Sequence, residues 1–125
     1  MGALSDEQRN TLLGCFHMRG FSEMFPIINQ YYEQYKLGTD MTDDEKISEY
    51  TYVNEQLRKF AFKNQDRVMS HGSNLDDMLA EVEAMVESAG EYSNTRKGLM
   101  YNFIRDAWLL ELHNAIMYLI DTKEE

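Results

Sequence analysis

The feature that most restricts this chain is its single proline, Pro26, among 125 residues. Proline and glycine punctuate a fold, and with only seven glycines besides there are too few breaks for a many-turned β structure. The expected fold is therefore all-α, with long helices.

Local signals say where those helices start and stop. Ser5-Asp6-Glu7-Gln8 reads as a capping box: the serine oxygen accepts from an orphan N–H and the glutamine side chain reaches back to the serine N–H. The stripe that follows, Thr11, Leu12, Cys15, Phe16 and Arg19, is interrupted at Gly20 and Pro26 before Phe25, Ile28, Tyr31, Tyr32 and Tyr35 resume it. The pattern predicts two helices, or one sharply kinked near 20–26. Lys36-Leu37-Gly38 closes it, with the glycine placed for a left-handed residue. Thr42-Asp43-Asp44-Glu45 is a second capping box, after which Ile47, Tyr50, Val53, Leu57, Phe60, Ala61 and Val68 recur at helical spacing. That helix should run to Met69, on the order of 40 Å at 1.5 Å per residue.

His71-Gly72-Ser73-Asn74 ends the long helix, and Leu75, Met78, Leu79, Val82, Met85, Val86 and Ala89 mark the next one with a single apolar stripe. Residues 90–95 form another turn. Residues 99–120 are apolar around most of the circumference, polar only where Asn102, Arg105, Asp106 and His113 share a narrow arc, which is the signature of a central, buried helix. Short connections favour antiparallel neighbours, so the expected architecture is an irregular four- to five-helix bundle. It forms a single domain over residues 1–125, with a disordered tail at 122–125.

Charge limits the partners. Twenty-two acids against twelve bases give a net charge of −10, which repels phosphate backbones and anionic headgroups. Neither direct nucleic-acid binding nor membrane association is expected. The sequence shows no signal-peptide pattern and no run of about 20 apolar residues, and its lone cysteine, Cys15, has no internal bridging partner. A cytoplasmic protein is the corresponding expectation.

No motif for chemistry emerges. His17, His71 and His113 lack histidine or cysteine companions at helical spacing, and no Glu-x-x-His pair occurs. The acids around Asp43 lack the central glycine of an EF-hand. Cys15 and His17 diverge by about 200° on a helix and cannot act as nucleophile and base, so Cys15 reads as a small core residue. No phosphate loop or nucleophile elbow is present. Catalytic residues, metals and cofactors are therefore expected to be absent. Glu111 shares a helical column with Ile104 and Tyr118, and Asn114 one with Met100 and Ala107, so both should be buried and paired. Asn54 and Asn64 should fix register on the long helix.

Two surfaces stand out. The helix after Asn74 carries Asp76, Asp77, Glu81, Glu83 and Glu87, with no lysine or arginine between Val68 and Thr95. Like charges at i,i+4 oppose helix formation, so this face is not explained by stability. The segment 31–52 interleaves five of the eight tyrosines with six acids. Tyr31 and Tyr32, or Tyr50 and Tyr52, diverge too far to enter one core, so one of each pair should be exposed. Tyr31, Tyr32, Tyr35, Asp40, Asp43, Asp44, Glu49 and Tyr52, with the five acids above, form the expected partner surface. Arg58, Lys59, Lys63 and Arg67 make the one basic stripe, a match for the acidic helix of the same chain or of a second copy.

These features point to a non-enzymatic interaction module, an inhibitor or adaptor for a basic protein surface or complex. Its concrete form is a phage-type inhibitor of a nucleic-acid-handling complex, acting as a nucleic-acid mimic. A self-associating structural subunit, in its simplest form a homodimer, is the alternative. A ligand pocket or enzyme around Glu111 and His113 is third.

Overall fold

The computed structural model describes residues 4–17, 20–72, 74–91 and 95–123. Five helices follow one another: α1 (Asp6–Gly14), α2 (Phe21–Tyr35), α3 (Asp43–Met69), α4 (Leu75–Ser88) and α5 (Arg96–Lys123). Among the described residues there is no strand, and the molecule is an all-α bundle.

The starts follow side-chain chemistry. Ser5 and Thr42 both make reciprocal capping boxes, with Gln8 and Glu45. The Thr42 N–H hydrogen bond holds the Glu45 carboxyl below its ordinary range. Asn74 caps α4 by accepting from the Asp77 N–H at 3.2 Å. Thr95 caps α5, its hydroxyl accepting from the Gly98 N–H at 2.9 Å. The break between α1 and α2 falls at 15–20, with Gly20 as the cap of α2, and Pro26 sits inside α2. One missing N–H costs one ladder bond there, which the packing of Met24, Ile28, Tyr31 and Tyr32 offsets.

The end of α2 corrects the expectation for Gly38. The left-handed residue is Lys36, with φ 55°, and the Leu37 N–H reaches back to the Tyr32 carbonyl as in a Schellman motif. Gly38 is needed for space: a Cβ there would stand 2.9 Å from Cβ of Tyr32.

α5 is the centre, packing against all four other helices. Gly90 meets Arg105 and Glu83 meets His113, so α4 runs antiparallel to it. The core divides into two clusters along α5. One joins α2 to the first halves of α3 and α5 around Ile28, Tyr31, Tyr50, Leu57 and Ile104. The other joins α1 and α4 to the second halves, around Leu12, Val68, Met78, Trp108 and Ile116. Cys15 is a buried member of that second cluster. α5 continues through Lys123, with the Thr122 hydroxyl donating to the Tyr118 carbonyl, so residues 122 and 123 of the expected tail are helical; 124 and 125 lie outside the described residues. No described helix is long and apolar enough to cross a membrane.

Candidate functional site

α5 is not buried all round. Asp106, Leu110, Asn114 and Tyr118, at four-residue steps, form an outward stripe, with Leu110 61 % and Tyr118 67 % exposed. Across from Leu110, Val86 of α4 is 50 % exposed. Its place on the apolar stripe predicts burial, but it lies at the edge of that stripe, turned about 40° from Val82 at 100° per residue. Only Leu75, Met78, Val82 and Met85 are buried on α4.

Between the helices these side chains form an open groove of about 530 Å³. Its floor is Val86, Leu109 and Leu110, and its rim Glu83, Glu87, Asp106 and His113. A second groove of about 450 Å³ shares Asp106 and Leu110 with the first and continues toward α2, reaching Gln34 and Tyr35. Among the described residues no lysine or arginine lines either groove. His113 Nε2 lies 3.5 Å from Glu83, and the buried Arg105 pairs with Asp106 at 3.2 Å. The result is an uncovered apolar floor with an anionic rim, which concentrates negative potential where apolar contact is available.

The five acids of α4 do not act as one face. Glu81 turns to α3, where Arg67 Nε bonds it at 2.8 Å and His71 approaches at 3.3 Å. This is the internal match expected for the basic stripe, made by Arg67. Asp77 lies nearest Glu81, about 40° away, whereas Glu83 and Glu87 fall on the groove side. Asp76 is exposed at the first turn.

The tyrosine-flanked turn divides too. Asp40, Asp43, Asp44, Tyr35 and Tyr52 are exposed, but Tyr31, Tyr32 and Glu49 are buried and belong to the interior. The exposure expected of one member of the Tyr31/Tyr32 pair fails because α2 packs against both α3 and α5, so two faces about 100° apart each meet a neighbour. Glu49 is buried because its carboxylate is fully used. Tyr32 Oη donates to Oε1 at 3.0 Å, and Arg96 Nε and Nη2 donate to Oε2 at 2.9 and 2.8 Å. Tyr31 Oη donates to the Arg96 carbonyl at 2.9 Å. Burial, then the Glu49 carboxylate, pushes the Tyr31 hydroxyl up to about 12. Burial and the Glu49 hydrogen bond raise Tyr32 further. The hydrogen bond that Arg96 itself donates to Glu49 raises the guanidinium.

Cations also cover parts of this turn. Lys46 Nζ stands 5.3 Å from the Tyr32 ring centre and Lys97 Nζ 4.4 Å from that of Tyr52. The open groove beside Tyr52 is accordingly lined by Lys97, whereas among the described residues no lysine or arginine lines the α4–α5 groove.

Other polar positions have structural explanations. Arg105 is buried, not solvent-facing: it donates to the Gly90 carbonyl beyond α4 and to Asp106, favourable for a cation near a helix C-terminus. Asn64 is buried and donates to the Phe60 carbonyl at 2.8 Å, whereas Asn54 leaves its buried Oδ1 without a partner. Asn114 is exposed and Glu111 only half-buried, although Met100 and Ile104, seven or fourteen residues earlier in their columns, are buried. The cavity beside Glu111 measures about 20 Å³, room for about one water. Among the described residues no group of three His, Cys, Asp or Glu stands close enough to hold a metal ion. Arg19 and Ser73 lie outside the described residues.

Of the expected partner residues, Tyr35, Glu83 and Glu87 are thus brought together along the joined grooves. Asp106 and His113, from the polar arc of α5, complete the rim, and Val86 and Leu110 the floor; those two apolar residues are not legible as surface. The usable signal was the four-residue step that places Leu110 in line with polar Asp106 and Asn114.

Compared with known proteins, the chain matches no family model, no curated protein and no solved structure.

Proposed function

We propose that this protein is a non-enzymatic binding module, an inhibitor or adaptor, whose α4–α5 groove receives a basic amphipathic segment of a partner protein. The observation that supports the reading is the exposure of Val86 and Leu110 beside Glu83, Glu87 and Asp106, the last paired with the buried Arg105, with no lysine or arginine among the described residues lining the groove. Covering apolar surface contributes about 25 cal/mol per Å², so two seated side chains supply affinity on the order of a few kcal/mol. The acids steer a basic partner and set its orientation. Helix-in-groove recognition has this form: apolar anchors at i and i+4, flanked by charge.

Lysine- and arginine-rich segments are abundant on proteins that handle nucleic acid, and an acidic chain that occupies one competes with the nucleic acid for it. A phage-type inhibitor of such a complex, acting in the cytoplasm, is the specific version of the reading.

A synthetic helical peptide with leucines at i and i+4 and lysines on both flanks tests the groove by fluorescence anisotropy. The wild-type chain should bind it, less tightly as salt rises. Leu110→Arg, or Glu83→Lys with Glu87→Lys, should abolish binding while leaving the melting temperature in place. Asp40→Lys with Glu55→Lys makes the same change in net charge away from the groove and should leave specific binding intact. Equal binding by all variants, or none by the wild type, overturns the proposal.

A further inference from the structure

We infer that His113 makes capture of a basic segment by the α4–α5 groove depend on pH. Protonated, it pairs with Glu83 and opposes the incoming cation; neutral, it leaves that carboxylate to the partner. The inference rests on the groove reading above and adds a regulation to it.

The imidazole stands where a lysine or arginine of the partner would sit. His113 and Glu83 line the same groove from opposite helices, with Nε2 3.5 Å from Oε1 of the carboxylate. Among the described residues His113 is the only ion-pair partner of Glu83. Histidine is the side chain whose charge ordinarily changes between pH 5 and 8. On the acid side of that range a partner's cation meets a carboxylate already paired, with a like charge beside it. On the alkaline side the ring is neutral and Glu83 stands unneutralised at the rim.

The other charges around His113 do not change over the same range. From α4, Glu87 shares the groove lining with Glu83. On α5, Asp106 lies two turns earlier and is paired with the buried Arg105 at 3.2 Å, and Glu111 is turned about 200° away. Among the described residues α1, α2 and α3 contribute nothing to the lining. Carboxylates and guanidinium groups keep their charge here, so the imidazole is the group that titrates. His71 provides the contrast. It approaches Glu81 at 3.3 Å on the α3 side of α4, where Arg67 bonds the same carboxylate at 2.8 Å whatever the pH, and neither His71 nor Glu81 lines the groove. His113 is 33 % and Glu83 57 % exposed, so water screens their pairing and the groove is weakened by protonation, not shut.

Fluorescence anisotropy with the lysine–leucine peptide, acetylated, amidated and free of histidine, tests this at constant ionic strength between about pH 5.5 and 8. The wild type should bind about two- to fivefold more weakly at the acid end. His113→Gln, checked for unchanged thermal unfolding, should bind with one affinity throughout, and His71→Gln should keep the wild-type profile. A second measurement needs no variant. By linkage, saturating peptide should lower the pH midpoint at which the His113 ring titrates in NMR spectra and leave that of His71 in place. A His113→Gln chain that keeps the pH dependence, a His71→Gln chain that loses it, or a His113 midpoint that the peptide does not move overturns the inference. If the wild type binds the peptide through Leu110 with equal affinity at every pH, the regulation fails and the groove reading stands. If the peptide binds at no pH, both fall.

Discussion

The two halves of the bundle share α3 and α5 but are held together by different physics. The α2 half is aromatic and polar: Tyr31 packs against Tyr32, Tyr35 and Phe103 at centroid distances of 5.1 to 5.7 Å, and its hydroxyl and that of Tyr32 join the Glu49–Arg96 pair. The α4 half is mainly aliphatic and thioether, Met78, Val82, Met85, Leu112 and Ile116, around Trp108. Directional hydrogen bonds fix one arrangement, whereas methionine and leucine contacts tolerate repacking. The groove borders the tolerant half, where α4 covers α5 incompletely and leaves Val86 and Leu110 in water.

The sharpest way to break the comparison is at Trp108. Its ring makes edge contacts with Phe16 and Phe60, both at 5.8 Å, and its indole N–H bonds the Cys15 carbonyl. Trp108→Ala should destabilise by about 3–5 kcal/mol in urea unfolding, a large part of the 5–15 kcal/mol typical of a domain. Trp108→Phe, which loses chiefly the hydrogen bond, should cost about 1–3 kcal/mol.

In the polar half the corresponding change is Glu49→Leu. Removing one partner of a buried pair costs about 3–5 kcal/mol, and because Arg96 is half-exposed and regains water the expected loss is nearer 2 kcal/mol. A double-mutant cycle with Tyr32→Phe should show coupling above about 0.5 kcal/mol, while a cycle between Glu49, bonded to Tyr32 of one cluster, and Trp108 of the other should be additive.

The same half confers alkaline sensitivity. The Tyr31 hydroxyl is raised from 10.0 to about 12, so the fold favours its neutral form. That stabilisation is fully present below the unfolded value and is lost as pH rises from 10 through the folded value near 12. On the order of 2 kcal/mol should disappear across that window, and Tyr31→Phe should flatten the profile. Tyrosinate absorbance during the same titration locates the ionisation.

A smaller effect is expected at the end of α2. Gly38→Ala forces a Cβ against Tyr32 and should cost about 1–3 kcal/mol, whereas Lys36→Gly, relieving a left-handed non-glycine residue, should gain up to about 1 kcal/mol.

Local features of this architecture were legible and contextual ones were not. The capping boxes at Ser5 and Thr42 and the full extent of α3 are written in adjacent residues, so the sequence contains their cause. The burial of Tyr31, Tyr32 and Glu49 depends on Arg96, 47 residues from Glu49, and on α2 having a neighbour on two sides. The exposure of Leu110 and Val86 depends on how far α4 covers α5. Periodicity says which side chains share a face, not whether a helix lies over it. The surface acids are legible in the sequence, but periodicity places Val86 and Leu110, the apolar floor beside Glu83 and Glu87, in the core.

The most direct test is an amide chemical-shift map of the wild-type protein titrated with the lysine–leucine peptide. The account requires the largest shifts at Val86, Asp106, Leu110 and His113, with Asp43, Tyr52 and Asp77 silent. Shifts centred on Asp43 and Tyr52, or spread evenly over every exposed acid, would contradict it.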